Sequence, residues 1–298
     1  MRKALNLAAI DIGSNGARLL IKRFDDDAPE DRRIKKVMFT RIPLRLGKDV
    51  FTLGKISQER ARMMLHMMKG FNHFMKLHNV DAYRACATSA MRDAENGEKI
   101  MKRIEKETGI KLEIIKGEEE ARLLCNNLVE KTDSNEGNFA YVDVGGGSTE
   151  ISIINNGTLA ASRSYNIGTL RLLSGRVKQE TCKQLESDLV KYAKKFENIK
   201  IIGSGGNINK LYKLSDSDQG KPEIAVKEVR RLYEILSPMS LQERITHFNL
   251  KDDRADVIVP ASEIFLTIAS HLNAETIIVP TISLADSIVD GLYKKFRG

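Results

Sequence analysis

Two eight-residue segments far apart in the chain align without a gap, DIGSNGAR at residues 11–18 and DVGGGSTE at residues 143–150. Each follows an apolar run and precedes an alternating one, so each reads as the first turn of a β-meander. The first meander is LNLAAIDI, GSNG, ARLLIKRF, an acidic loop DDDAPED and RIKKVMFTRI; the second is NFAYVDV, GGGS, TEISIINN, a turn at Gly157 and TLAASRSYNI. A chain of 298 residues that opens both halves this way is most economically an internal duplication. The strand and helix alternation after each meander predicts a sheet covered by helices in each half. The expectation is therefore an α/β protein of two similar domains. The boundary is placed in the polar stretch at residues 122–137, giving residues 1–122 plus 283–298 as domain I and 123–282 as domain II.

After the first meander Ser57 reads as the cap of an amphipathic helix QERARMMLHMMKGFNHFMKLH. Strand AYRACA, helix MRDAENGEKIMKRIEKETG, strand KLEIIK and helix EEEARLLCNNLVEK follow. In the second half come helix QETCKQLESDLVKYAKKF, strand IKIIG, helix NINKLYKL, a polar loop SDSDQGKP, two more helices, strand TIIVP and a last helix SLADSIVDGLYKKF. The methionines at 63, 64, 67, 68 and 75 recur at helical spacing and are read as core. His66, His73 and His78 lack carboxylate or cysteine partners at ligand spacing, so no metal site is expected there.

No 18-residue apolar run exists, and no membrane span is expected. Cys86, Cys125 and Cys182 are odd in number and outside metal-ligand spacing, which predicts reduced thiols and a cytoplasmic protein. A net charge of +8 suits an anionic partner. With no tryptophan and basic residues interleaved with acids, a base-stacking platform is not expected, and nucleic acid is set aside.

The glycines and carboxylates narrow the chemistry. If Val144 pairs with Thr149 across GGGS, Asp143 and Glu150 lie directly opposite on one face of the hairpin. Two carboxylates so placed repel by roughly 3 kcal/mol at an effective dielectric near 20, and a divalent cation turns that repulsion into attraction. In the first repeat the same positions hold Asp11 and Arg18, which neutralise each other. On this reading Glu150→Arg recreates a balanced pair and leaves a folded protein that has lost its cation. Both turns can offer backbone amides to phosphate oxygens. ATSAMR at residues 87–92, with Arg92 in a helix's first turn, and IIGSGGNI at residues 201–208 are two further loops of this kind. The four predict a phosphate-filled cleft between the domains. None matches a P-loop or a dinucleotide-binding fingerprint. In KGEEEARLL, Glu118, Glu119 and Glu120 suit a helix dipole, and one of the three could face the cleft and position a water.

AAIDIGSNGARLLI, ATSAMRDAEN, KGEEEARLL, YVDVGGGSTEIS, YNIGTLRL, IIGSGGNI and RADVIVPA, in this order, closely resemble the exopolyphosphatase and guanosine pentaphosphate phosphohydrolase (Ppx/GppA) family across essentially the whole chain. The resemblance implies an actin-like, ribonuclease H-type duplicated two-domain fold, each domain on a five-stranded sheet. It implies a catalytic Glu120, metal-binding Asp143 and Glu150, and phosphate contacts at Ser14, Asn15, Arg92, Gly145, Gly146, Gly147, Ser148, Gly205 and Gly206, with Asp11 as a supporting carboxylate. It implies Mg2+, with Mn2+ as a substitute, inorganic polyphosphate or guanosine pentaphosphate as substrate, and a homodimer. The chain departs from the family at Gly16, where serine is usual, at Pro260, Ala261 and Ser262, where glycines are common, and in ending without the carboxy-terminal helical domain of long members. The expected activity is hydrolysis of the terminal phosphoanhydride of polyphosphate. The alternatives are an alarmone or nucleotide phosphohydrolase, a more distant actin-like ATPase or kinase and, in another class, a polyphosphate or alarmone sensor with little catalysis.

Overall fold

The structure, a computed structural model, describes residues 4–131, 136–217, 221–280 and 282–297, with side chains 125–131, including that of Cys125, outside the description. Part of the polar stretch at 122–137 and of the loop SDSDQGKP also lies outside the described residues. The chain divides into a first unit, Met1–Lys116 with Leu284–Gly298, and a second, Gly117–Ser283.

The first unit begins with β1 (Leu5–Ile12), β2 (Ala17–Phe24) and β3 (Ile34–Ile42). Next come α1 (Leu46–Leu53), α2 (Gln58–Leu77), β4 (Ala82–Ala87), α3 (Ser89–Asp93), α4 (Gly97–Thr108) and β5 (Glu113–Ile114). Its sheet has the order β3-β2-β1-β4-β5. β1 is central, paired antiparallel to β2 and parallel to β4, and all of Leu7–Ile12 is buried. The apolar run Leu7–Ile10 within it is what a strand covered on both faces requires. Ser57 caps α2 by accepting from the Arg60 N–H at 3.2 Å. Met64, Met67, Met68 and Met75 are buried as expected, but Met63 is 43% exposed, one step off the buried stripe. The single helix expected from MRDAENGEK onward is two, α3 and α4. They separate at Asn96, whose side chain bonds both the N–H and the carbonyl of Ile56 at 3.0 and 2.8 Å.

The second unit starts with α5 (Gly117–Lys131), β6 (Asn138–Val144), β7 (Thr149–Asn155) and β8 (Thr158–Tyr165). Then follow α6 (Thr169–Leu173), α7 (Gln179–Lys195), β9 (Lys200–Ser204), α8 (Gly206–Leu214) and β10 (Glu223–Ala225). The unit closes with α9 (Val226–Leu236), α10 (Leu241–Phe248), α11 (Asp252–Ala255), α12 (Ile258–His271) and β11 (Thr276–Ile278). Its sheet, β10-β11-β9-β6-β7-β8, repeats the first unit's order and adds β10 as a short antiparallel edge strand, so it has six strands where five were expected. Four helices, α9 to α12, occupy the stretch read as two. α5, which the boundary expected after residue 122 would divide between the domains, packs on β7 and β8 and lies wholly in the second unit.

α13 (Leu284–Arg297) returns to the first unit. Lys22, buried in β2, reaches Asp286 and Asp290 at 2.9 Å each, and Phe24 stacks on Tyr293 with ring centroids 4.2 Å apart. A buried ion pair of this kind fixes register more than it adds stability, and removing one partner strands a charge. Among the described residues no helix is long and apolar enough to cross a membrane.

Candidate active site

The aligned turns take the register that the sequence predicts: Asp143 lies opposite Glu150, and Asp11 opposite Arg18. In the first unit the opposed charges meet, with Arg18 Nη1 2.6 Å from Asp11 Oδ2. In the second unit two carboxylates face one another. Glu150 is only 2% exposed and accepts a hydrogen bond from the Ser164 hydroxyl at 2.8 Å.

The turn at residues 145–148 is shaped from behind by α6. All four of its carbonyls are engaged: Gly145 by the Thr169 N–H at 3.0 Å, Gly146 by Leu170 at 2.8 Å and Arg171 at 3.1 Å, Gly147 by Arg171 Nε at 2.7 Å, and Ser148 by the Gly145 N–H at 2.9 Å. No backbone acceptor among the described residues takes the Gly146 and Gly147 N–H groups. A turn whose carbonyls are satisfied and whose amides are spare presents partial positive charge to an anion. The approach of α6 is close enough that a Cβ at Gly168 would sit 2.5 Å from the backbone of Gly147 and Ser148. Gly168→Ala is therefore expected to cost about 1–3 kcal/mol by overpacking and to disturb the turn, read as a lower melting temperature with reduced phosphate release.

Of the three glutamates that open α5, the fold distinguishes one. Glu118 is exposed, Glu119 half-buried and Glu120 9% exposed. Glu120 faces the same ground as the hairpin pair. The Tyr141 hydroxyl, wholly buried in β6, is pushed well above the usual phenol range, first by burial and then by the negative charges of Asp143, Glu120 and Glu150. Asp143 is also flanked by Gly205, the residue before α8, whose φ of +99° and 2.9 Å clearance from a built Cβ to Asp143 Oδ1 both exclude a side chain. Gly206 carries the Arg254 guanidinium against it, and Arg254 Nη1 donates to Asn207 Oδ1 at 3.0 Å.

In the first unit, Ser14 and Asn15 form the corresponding turn, again held by its carbonyls: Gly47 N–H to Ser14 at 2.8 Å and Arg45 N–H to Asn15 at 3.0 Å. The Ser14 and Ser89 hydroxyls meet at 2.7 Å, which joins this turn to the start of α3. Arg92 is the fourth residue of the five-residue α3, whose first and last turns overlap, and its guanidinium donates to the Ile115 carbonyl at 3.3 Å and lies 3.7 Å from Asp93. The fold thus gathers Glu120, Asp143, Glu150, the turn at 145–148, Gly205 and Gly206 within the second unit, and Asp11, Ser14, Asn15 and Arg92 within the first. Gly168, Arg171, Tyr141 and Arg254 were not singled out from the sequence. YNIGTLRL and RADVIVPA, which contain three of them, were the available signal.

Among the described residues no group of three or more His, Cys, Asp or Glu side chains forms a metal cage. Magnesium seldom needs one, since it is held by one or two carboxylates and completes its shell with water and phosphate oxygens. Hard oxygen donors on opposed residues, one of them buried, fit that mode of binding.

A model of the Ppx/GppA phosphatase family matches residues 27–296. The chain belongs to that family. It is 32% identical over 148 residues to exopolyphosphatase 1 of Mycobacterium tuberculosis, a stretch covering 50% of this chain and 42% of that protein. It is 25% identical over 299 residues to the guanosine-5′-triphosphate,3′-diphosphate pyrophosphatase of Aeromonas hydrophila, covering 96% of this chain and 59% of the relative. The matches thus span about half the length of these two relatives. The crystal structure of the Aquifex aeolicus Ppx/GppA family member superposes with a TM-score of 0.75 at 25% identity, over 98% of this chain and 99% of that one. The second of the two aligned hairpins, residues 143–150, lies within the matched stretch.

Proposed function

We propose that the chain is a magnesium-dependent exopolyphosphatase that hydrolyses the terminal phosphoanhydride of inorganic polyphosphate. The observation that carries this reading is the acidic pair Asp143 and Glu150, held opposite each other beside a glycine turn with spare amides. Magnesium bound there would neutralise phosphate charge. The Gly146 and Gly147 amides hold phosphate oxygens and orient the terminal group. Glu120, buried on the first turn of α5, accepts a hydrogen bond from the attacking water, aims it and takes its proton. Glu150 is kept in place by Ser164, and Tyr141 closes the floor against bulk water. In the first unit, Ser14, Asn15 and Arg92 offer a second anion-binding turn to phosphate groups. Phosphoryl transfer is mostly positioning and charge stabilisation, which is what these parts supply.

The alignment with the Aeromonas pyrophosphatase over 96% of the chain favours a second reading, hydrolysis of guanosine pentaphosphate at the same site. Turnover with saturating magnesium on long polyphosphate, short polyphosphate, guanosine pentaphosphate and ATP separates the two. The expected order places polyphosphate first. Faster turnover of guanosine pentaphosphate installs the second reading, and phosphate release from none of the four removes both.

A further inference from the structure

The duplication extends one strand further than the hairpins. Across β1, β2 and β3, Asp11 pairs with Arg18 and Arg18 with Arg41. Across β6, β7 and β8, Asp143 pairs with Glu150 and Glu150 with Ser164. Directly paired residues point to the same face of a sheet, so each turn is backed by a row of three side chains. The second row is doubly negative, with a serine hydroxyl to steady it. The first holds two arginines against one aspartate, with Arg18 and Asp11 meeting at 2.6 Å.

Arg41 is brought up against the first turn. A Cβ at Gly16 would lie 3.1 Å from Arg41 Nη2, 3.2 Å from its Nε and 3.2 Å from the Ile42 carbonyl oxygen. Gly16 does not have the positive φ that forces glycine elsewhere in the chain, so what its missing side chain supplies is room. The other repeat shows the converse. Its turn ends in Ser148, which has a Cβ, and its third strand carries the short Ser164 in place of an arginine. A side chain on the turn and a guanidinium on the third strand are thus alternatives in the two repeats.

We propose that Arg41 is a phosphate-binding residue of the first unit, and that glycine at position 16 exists to seat its guanidinium beside the Ser14–Asn15 turn. The inference rests on the phosphohydrolase reading and adds to it a ligand contact specific to this chain's Gly16. A guanidinium offers a planar fork of donors matched to phosphate oxygens, which a lysine ammonium does not.

The test is steady-state phosphate release from inorganic polyphosphate at saturating magnesium, with melting temperatures measured alongside. Arg41→Ala is expected to raise KM about ten- to a hundredfold, the range for a hydrogen bond to a charged group, with kcat nearly unchanged, as for a contact made equally in the ground and transition states. Arg41→Lys should fall between. Gly16→Ser should raise KM similarly by displacing the guanidinium, and the double variant Gly16→Ser/Arg41→Ala should be no worse than Arg41→Ala alone, since both act through one contact. If Arg41→Ala does not fold, Gly16→Ser decides with Arg41 intact. An active wild type whose KM is unmoved by Arg41→Ala or Gly16→Ser overturns the role of Arg41 and leaves the hydrolase reading standing. Fully additive KM effects in the double variant also overturn it. A wild type that releases no phosphate overturns the hydrolase reading, and this inference with it.

Discussion

Glutamine in place of Glu120 is expected to lower phosphate release from polyphosphate by at least about a hundredfold, the low end of what a positioned acid or base contributes. The exchange keeps the shape of a side chain that is 9% exposed, so the melting temperature should hold and polyphosphate should still bind. Of the three adjacent glutamates only this one is both buried and felt, with Asp143 and Glu150, at the Tyr141 hydroxyl. Glu118→Gln, at an exposed position, serves as the control and should leave turnover within a few-fold. Near-normal release by Glu120→Gln, or an equal loss in Glu118→Gln, would remove Glu120 from the mechanism.

The second large effect is at Glu150. Glu150→Gln should lose magnesium-dependent turnover by a comparable factor, because one of two charged oxygen ligands becomes a neutral amide. In magnesium-free buffer the same variant should be slightly more stable than wild type. Like charges directly opposite one another across strands destabilise a hairpin by about 0.2–1 kcal/mol, and the amide removes one of them while retaining a bond to Ser164. Loss of activity with gain of stability is the signature of a group kept for function. The variant suggested by the repeat alone, Glu150→Arg, is a poorer test than the sequence implies. Arg18, its counterpart, has a side chain 24% exposed, whereas Glu150 is 2% exposed and a Cβ at Gly117 would already lie 3.5 Å from Glu150 Oε1. An arginine there would have to fit a longer, bulkier side chain into an enclosed position. Its failure would report overpacking as readily as loss of a ligand.

What could be read in advance follows from how local the determinants are. The pairing of Asp143 with Glu150 was legible because a four-residue turn between alternating strands leaves one register that keeps the apolar face inward. The doubled meander was legible for the same reason, and with it the central strands. Which of Glu118, Glu119 and Glu120 matters was not, since all three satisfy a helix amino terminus equally and only the packing of α5 on β7 and β8 separates them. Gly168 and Arg171 were invisible as site residues because what they meet, the backbone of Gly147 and Ser148 for the one and the carbonyls of Gly146 and Gly147 for the other, lies twenty or more positions away. The break between α3 and α4 was missed because it is held by Asn96 bonding to Ile56, 40 residues distant. The short strand β10 exists only by pairing with β11, which no local propensity announces.

The claim that an opposed carboxylate pair serves a phosphoanhydride hydrolase is tested most directly by following phosphate release from inorganic polyphosphate as magnesium is titrated from an EDTA-treated start. The account predicts no release without the metal, a saturable rise as it is added, and single phosphates as the product, as expected for attack at the chain end. Release that is unchanged in EDTA, or absent at every magnesium concentration, would contradict it.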